Sequence, residues 1–367
     1  MQHKSTSRLF SLCAVILTLV GCVRAGFNQT SQPDAPPPVD QGNPDHPIVD
    51  YSRKDGPQRE AKLSDVSPGD SPKKDAAPPD VSRLDAPSAE GPGPDADVAE
   101  KWTTVTAGTF SMGSPLVGEC GPQHETLHQV TLNHDFEISA TEVTQKQFET
   151  LMTYRPLGVN PCDRCPVAWL TWDEAVAYCN ILSYGKTLKE CYQCSDVGTS
   201  SVSCIVAPAY DGTNKSIYAC PGYRLPTDAE WEYAYRAGTS TPLYEGTINP
   251  AACGSCSEVD VATTKIAWYC ANSGGAVHEV GQKAPNAWAL YDMAGNVWEW
   301  IHDWYQADLG PAARTDPWGP ATGSQRIMRG GTYHLFPWTL QGSVRIGFSP
   351  AARETRLGFR CVRTLNP

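Results

Sequence analysis

The sequence has little of what would assign it quickly. Long apolar runs are scarce, and the one near the start, Leu9 to Val20, spans about a dozen residues. That is the length of an export-signal core and too short for a comfortable membrane span. Positive charge is also in short supply: 29 Lys and Arg face 40 Asp and Glu across 367 residues, a net charge of −11. This balance excludes broad, phosphate-driven nucleic-acid binding, which needs a basic face, and gives no support to electrostatic docking on anionic lipid. The sequence contains no phosphate-binding loop, no Gly-x-Ser-x-Gly elbow and no His-Glu-x-x-His pair. Helical periodicity is rare, and no repeat of solenoid period is evident.

What is present begins with a leader. Lys4 and Arg8 give a basic start, and the apolar core ends in Leu19-Val20-Gly21-Cys22. This ending resembles the lipobox of bacterial lipoproteins, in which the cysteine is lipidated and becomes the mature N-terminus. Residues 1–22 therefore read as a lipoprotein signal peptide, with Cys22 as the lipidation site. The expected location is extracytoplasmic, lipid-anchored in a bacterial cell envelope. Residues 23–100 are dominated by Pro, Asp, Ser and Ala, as in Asp34-Ala35-Pro36-Pro37-Pro38 and Gly91-Pro92-Gly93-Pro94. Such a stretch cannot bury enough apolar surface to offset its ordering entropy, and reads as a disordered tether.

Residues 101–367 form the expected folded domain, long enough for one large core. Three Thr-x-x-Glu/Gln signals mark helix starts: Thr144 with Gln147, Thr171 with Glu174, and Thr227 with Glu230, with Gly238 as a stop for the third. The second helix places Trp172, Val176 and Cys179 on one face. Short strands are expected at Trp102–Val105, Gln129–Leu132, Phe136–Ile138, Arg326–Met328 and Phe359–Val362, with the first and last pairing to close the domain. The class is α+β with much irregular structure.

Fourteen cysteines suggest maturation in an oxidising compartment. Cys13 would leave with the signal, and an even set of twelve follows Cys22. Cys162/Cys165, Cys191/Cys194 and Cys253/Cys256 have C-x-x-C spacing. In a cytosolic chain two such pairs suggest zinc; in an exported one local or crossed disulfides are the better reading. Pairing among residues 191–220 and among 253–270 is expected, with the connectivity open. His124, His128 and His134 are spaced for neither one helix face nor one strand face, and read as surface or strand-edge groups rather than metal ligands. His302-Asp303 reads as a structural hydrogen-bonding pair. Trp298, Trp300, Trp304 and Trp338 could line a peptide or glycan cleft, although core packing is the stronger expectation. Asp292 to Glu299 sets two carboxylates seven residues apart around a Gly295 turn, an oxygen-rich loop suited to Ca²⁺ unless both acids merely cap turns.

Several long blocks carry a resemblance: Gly108-Thr109-Phe110-Ser111-Met112-Gly113-Ser114, Glu142-Val143-Thr144, Gly222-Tyr223-Arg224-Leu225-Pro226-Thr227, Asp292-Met293-Ala294-Gly295-Asn296-Val297-Trp298-Glu299-Trp300, Arg329-Gly330-Gly331-Thr332 and Leu357-Gly358-Phe359-Arg360. In this order they are similar to the formylglycine-generating-enzyme, or sulfatase-modifying-factor, domain family over nearly all of residues 101–365. The resemblance implies a large, irregular variant of the C-type-lectin-like fold. It implies calcium at Asp292, Gly295, Val297 and Glu299, through two side chains and two carbonyls. A second calcium site would begin at Asn272-Ser273, where the distal carboxylate loop is shortened. The resemblance also implies a disulfide between Cys179 and Cys361, while a second family disulfide would need cysteines where Tyr235 and a residue near Arg345 stand.

The family's best-known members oxidise a sulfatase cysteine to formylglycine using Cu(I) held by two cysteine thiolates. Aligned on Gly330-Gly331-Thr332, those cysteine positions are Leu335 and Leu340. Copper is therefore not expected, and calcium is expected in a structural role. The expected function is a tethered binding or accessory module for an unidentified protein, peptide or glycan. The alternative is a formylglycine-generating oxidase or related protein-modifying enzyme. No nucleic-acid partner is expected, and membrane association is expected through the lipid anchor.

Overall fold

Three helices form where the capping pattern places them: α1 (Gln145–Met152), α2 (Trp172–Gly185) and α3 (Asp228–Arg236). Their setting is a computed structural model that describes residues 101–114, 120, 125–158, 160–213 and 215–367. The expectations for the signal, for Cys22, for the tether and for His124 lie outside the described residues. At each helix the Thr hydroxyl accepts from the backbone amide three residues on, and the Gln or Glu side chain there accepts from the Thr amide. Two orphan donors are thereby satisfied at once. α3 ends on Ala237 and Gly238, both in the left-handed region with φ of 44° and 90°. A fourth helix, α4 (Val261–Ile266), was not anticipated; it is short and rests on Asp260, whose Oδ1 accepts from Thr263 N at 2.7 Å.

Four small sheets complete the domain. In the first, the strand order is Trp102–Val105, Phe136–Ser139, Val362–Thr364, Tyr223–Arg224, all antiparallel. The first and last strands thus share a sheet, but Phe136–Ser139 lies between them, so the expected direct pairing does not occur. The second sheet sets Arg326–Arg329 between Ile346–Phe348 and Trp298–Trp304, with Leu357–Gly358 added in parallel to Trp298–Glu299. The third joins Gly108–Met112, His128–Leu132 and Arg314–Thr315; the fourth is the hairpin Tyr192–Ser195 with Ser203–Val206.

The second sheet divides two apolar cores, because successive strand residues face opposite ways. Trp298, Trp300 and Met328 join α1, α2 and Phe359 on one side. Ile301 and Ile327 join Trp231, Phe136, Ile138 and Val362 on the other. The expectation of core packing holds fully for Trp298 and Trp300, whereas Trp304 is half-buried against the Arg326 guanidinium, 3.6 Å from its ring.

Among the described residues the disulfides are Cys120–Cys253, Cys162–Cys165, Cys191–Cys220, Cys194–Cys204 and Cys256–Cys270. The predicted clusters 191–220 and 253–270 each contain local bridges. Cys253 departs from its cluster and reaches back to Cys120, 133 residues earlier. Cys179 and Cys361, the expected pair, face each other in the first core with sulfurs 2.8 Å apart. Where the family's second disulfide would lie, the Tyr235 ring packs on Gly342, so closely that a Cβ there would meet the ring at 2.5 Å.

Candidate functional site

The Asp292–Glu299 loop is held open by residues in the left-handed region: Asp292 (φ 54°), Gly295 (φ 80°) and Asn296 (φ 57°). Gly295 needs to be glycine for a second reason, since a Cβ would lie 2.3 Å from the Trp268 carbonyl oxygen. The loop is stitched to the segment after Arg329: Gly295 N donates to Gly330 O at 2.8 Å, and Tyr333 N donates to Asn296 O at 2.9 Å. The expected calcium loop and the turn that carries the family's copper ligands are thus one piece of structure.

Within this loop the two acids differ. Both Glu299 oxygens are engaged: Arg360 donates to Oε1 through Nη2 and to Oε2 through Nε, each at 2.7 Å, and Trp231 Nε1 donates to Oε2 at 2.8 Å. Asp292 accepts from Gly281 N at 2.6 Å. Beside it stands Glu142, 0% exposed, with neither carboxylate oxygen meeting a hydrogen-bond donor. Sequence reasoning quoted Glu142 only as part of a motif before the Thr144 cap; its distance along the chain from Asp292 hides the encounter.

Three buried carboxylates, Glu142, Asp292 and Glu299, therefore share one buried guanidinium, Arg360. Burial pushes Asp292 up to about 6. Glu142 is raised well above the carboxylate range, first by burial and then by the charge of Asp292. Two ionised carboxylates in contact can only accept hydrogen bonds, so this pair needs either protons or a cation. The orphaned oxygens of Glu142 and the oxygen-only donor set fit Ca²⁺. Among the described residues no three His, Cys, Asp or Glu side chains are grouped to hold a metal. A calcium ion here would thus rely on Glu142, Asp292 and backbone carbonyls, Gly295 and Val297 among the candidates, with Glu299 committed to Arg360. Asn272 and Ser273, where a second calcium site was expected, act as turn struts. Asn272 Oδ1 accepts from Tyr269 N at 2.9 Å, and Ser273 Oγ donates to Tyr333 O at 2.7 Å.

At the positions that the resemblance gives to the copper cysteines, Leu335 is half-buried and Leu340 fully buried. The neighbouring cysteines are all oxidised. Cys270 N donates to Leu335 O and Trp338 N donates to Cys253 O, while Gln341 Nε2 donates to Cys120 O. All three sulfurs lie in disulfides. Hydrocarbon and disulfide sulfur do not fit Cu(I), which wants thiolates.

Of the two histidines of that set that are described, His128 is buried and His134 half-buried, the latter bridging Glu230 (3.1 Å) and Asp316 (3.2 Å); the two serve different neighbourhoods. His302-Asp303 is the structural pair expected. His302 Nδ1 lies 3.1 Å from Tyr192 Oη, and Asp303 Oδ2 accepts from Asp228 N at 3.0 Å. Burial, then the charges of Arg326 and Arg224, hold His302 well below the usual imidazole range, hence neutral.

Small sheets, long loops and disulfides define an α+β protein of the C-type-lectin-like class, in its sulfatase-modifying-factor variant. The chain belongs to the sulfatase-modifying factor enzyme 1-like domain family, whose model matches residues 89–365. It is 32% identical over 261 residues to the Chaperone protein LppX of Paenibacillus barcinonensis, covering 64% of this chain and 82% of that protein. It is 35% identical over 153 residues to the formylglycine-generating enzyme of Thermomonospora curvata, spanning 38% of this chain and about half (49%) of that enzyme. Among solved structures, Treponema denticola variable protein 1 superposes with a TM-score of 0.57 at 30% identity, over 72% of this chain and 95% of that one.

Proposed function

We propose that the protein is a membrane-tethered accessory or binding module of the bacterial cell envelope, acting on a protein, peptide or glycan, and that it carries out no copper chemistry. The observation that supports this most is the pair Leu335 and Leu340 at the copper positions, with the flanking cysteines closed in disulfides. An accessory role also accords with the likeness to a protein named as a chaperone. The fold itself hosts more than one function, so the site has to decide. Calcium at Glu142, Asp292 and the loop carbonyls holds the site's shape. On oxidation Cys179 and Cys361 join, tying α2 to the C-terminal strand.

The test is to incubate copper-loaded protein with a Cys-x-Pro-x-Arg peptide, the motif the family's oxidases read, under oxygen with a reductant, and to weigh the peptide. The expected mass is unchanged. Conversion of the thiol, absent from a protein-free blank, would establish the oxidase alternative instead. For the anchor, Cys22→Ser is expected to release protein from membranes into the soluble fraction; retention of the variant on membranes would remove the tether from the proposal.

A further inference from the structure

The segment from Asn249 to Cys270 carries a disulfide that differs from the rest in its access to solvent. Cys256 is exposed, as no other bonded cysteine among the described residues is, and its partner Cys270 is half-buried. Cys191–Cys220, at the other extreme, has both cysteines fully buried in the first core. Exposed disulfides are the labile ones, because an attacking thiolate can reach the sulfur. The chain beside Cys256 is open as well, since a Cβ on Gly254 would meet nothing within 4 Å.

Other interactions hold the shape of this segment. The buried Asp260 accepts from Asn249 N through Oδ2 at 2.9 Å, and from Thr263 N and Thr263 Oγ1 through Oδ1, each at 2.7 Å. Its own amide donates to Tyr269 Oη at 3.1 Å. Cys270 N is fixed separately, on the Leu335 carbonyl at 3.2 Å. The Cys256–Cys270 bond can therefore open and close while these hydrogen bonds keep the segment in place.

Apolar side chains flank the disulfide. Val259 and Val261, three and five residues beyond Cys256, are 60% and 82% exposed. Phe336, 38% exposed, follows the residue whose carbonyl receives Cys270 N. Trp338 N donates to the Cys253 carbonyl, so this half-buried residue borders the same segment. A reachable disulfide beside exposed hydrocarbon gives an apolar partner segment something to rest on while sulfurs exchange.

We infer that Cys256–Cys270 is a thiol–disulfide exchange site for cysteines in an apolar segment of a partner protein, an activity beyond the accessory role proposed above. A partner thiolate attacks Cys256 Sγ; the Cys256–Cys270 bond breaks, and Cys270 leaves with the electron pair and takes up a proton. A second partner thiolate then attacks the partner's sulfur in the mixed disulfide and releases Cys256, which is protonated in turn. Two electrons thus pass from a partner dithiol to this chain: the partner gains a disulfide, the chain loses one, and the protons given up by the partner thiols are matched by those taken up on Cys256 and Cys270. In the reverse direction the reduced pair opens a partner disulfide, Cys256 attacking and Cys270 resolving.

The test incubates the oxidised full chain, in a copper chelator near neutral pH, with excess acetyl-Lys-Val-Phe-Cys-Leu-Lys-amide or its polar counterpart acetyl-Lys-Ser-Gly-Cys-Ser-Lys-amide. Samples are quenched in acid, alkylated and mapped cysteine by cysteine by mass spectrometry. The expected result is a peptide adduct on Cys256 and a free thiol on Cys270, with Cys191–Cys220 intact and the near-ultraviolet circular dichroism of the core retained. The apolar peptide is expected to react about tenfold faster than the polar one, the effect of resting one apolar side chain on the surface, and Val261→Ser to remove most of that advantage. Offered the apolar peptide as its symmetric disulfide, Cys270→Ser is expected to trap the mixed disulfide on Cys256, which the reduced wild type resolves; Cys256→Ser is expected to trap none. If a cysteine variant fails to fold, the wild-type map and Val261→Ser still decide. Opening of Cys256–Cys270 only together with Cys191–Cys220, first adducts on another cysteine, or equal rates with the two peptides would overturn the assignment.

Discussion

Two buried charge clusters in this domain obey opposite accounting. Around α3, Asp228, Glu230 and Glu232 meet four guanidiniums: Arg224, Arg236, Arg329 and Arg345. Burial pushes Glu230 up, yet the two-pronged pairing with Arg224 (2.7 and 2.8 Å) outweighs it and holds the acid below the usual carboxylate range. Around Arg360, by contrast, three acids meet one guanidinium, and burial wins at Glu142 and Asp292. The first cluster is closed within the protein and acts as scaffold. In the second the acids outnumber the guanidinium, and burial drives Glu142 and Asp292 toward their protonated forms.

The contrast is broken most forcefully at Arg329. Arg329→Met strips Asp228 and Glu232 of a shared partner, leaving charge buried without compensation, and is expected to cost about 3–5 kcal/mol in urea unfolding. A loss under about 1 kcal/mol would show that the closed cluster is not closed.

The open cluster predicts a pH dependence of definite sign. Asp292, raised from 3.8 to about 6 in the fold, holds a proton that the unfolded chain releases. In chelator, its contribution to stability is present below about pH 4 and lost as pH rises through about 6, some 3 kcal/mol in all. Calcium should flatten that slope and raise the melting temperature above neutrality, because it binds the native state. Identical pH profiles with and without calcium would remove the ion from the site.

Glu142→Gln supplies the neutral form that burial favours at this position, without the cost of protonating a carboxyl. It is expected to stabilise the calcium-free protein by about 1–2 kcal/mol and to blunt the thermal response to calcium, the reverse of the Arg329 result. Destabilisation in chelator would show that Glu142 is already paired. The smallest change is Thr227→Ala, which removes the α3 cap and should cost about 1 kcal/mol without altering either pH profile.

Legibility followed sequence separation. Helix starts at Thr144, Thr171 and Thr227 were readable because a capping box closes within three residues. The capped helices and short strand patterns carried the α+β class, and the carboxylate spacing around Gly295 the Asp292–Glu299 loop. Strand order was not readable: nothing local says that Phe136–Ser139 intervenes between Trp102–Val105 and Val362–Thr364. Cys120–Cys253 and the meeting of Glu142 with Asp292 were hidden for the same reason. His128 was misread because spacing reports periodicity, whereas its burial depends on how a strand packs beside α3.

The position of Val362–Thr364 bears on how the chain acquires its shape. This strand is interior to its sheet, flanked by Phe136–Ser139 on one side and Tyr223–Arg224 on the other, and the Arg363–Glu137 ion pair spans 226 residues. Contacts of that range close late, after the entropy of a long loop has been spent. During synthesis the sheet consequently stays gapped until residues 362–364 have emerged, and both flanking strands spend that interval with edges unpaired, open to other chains.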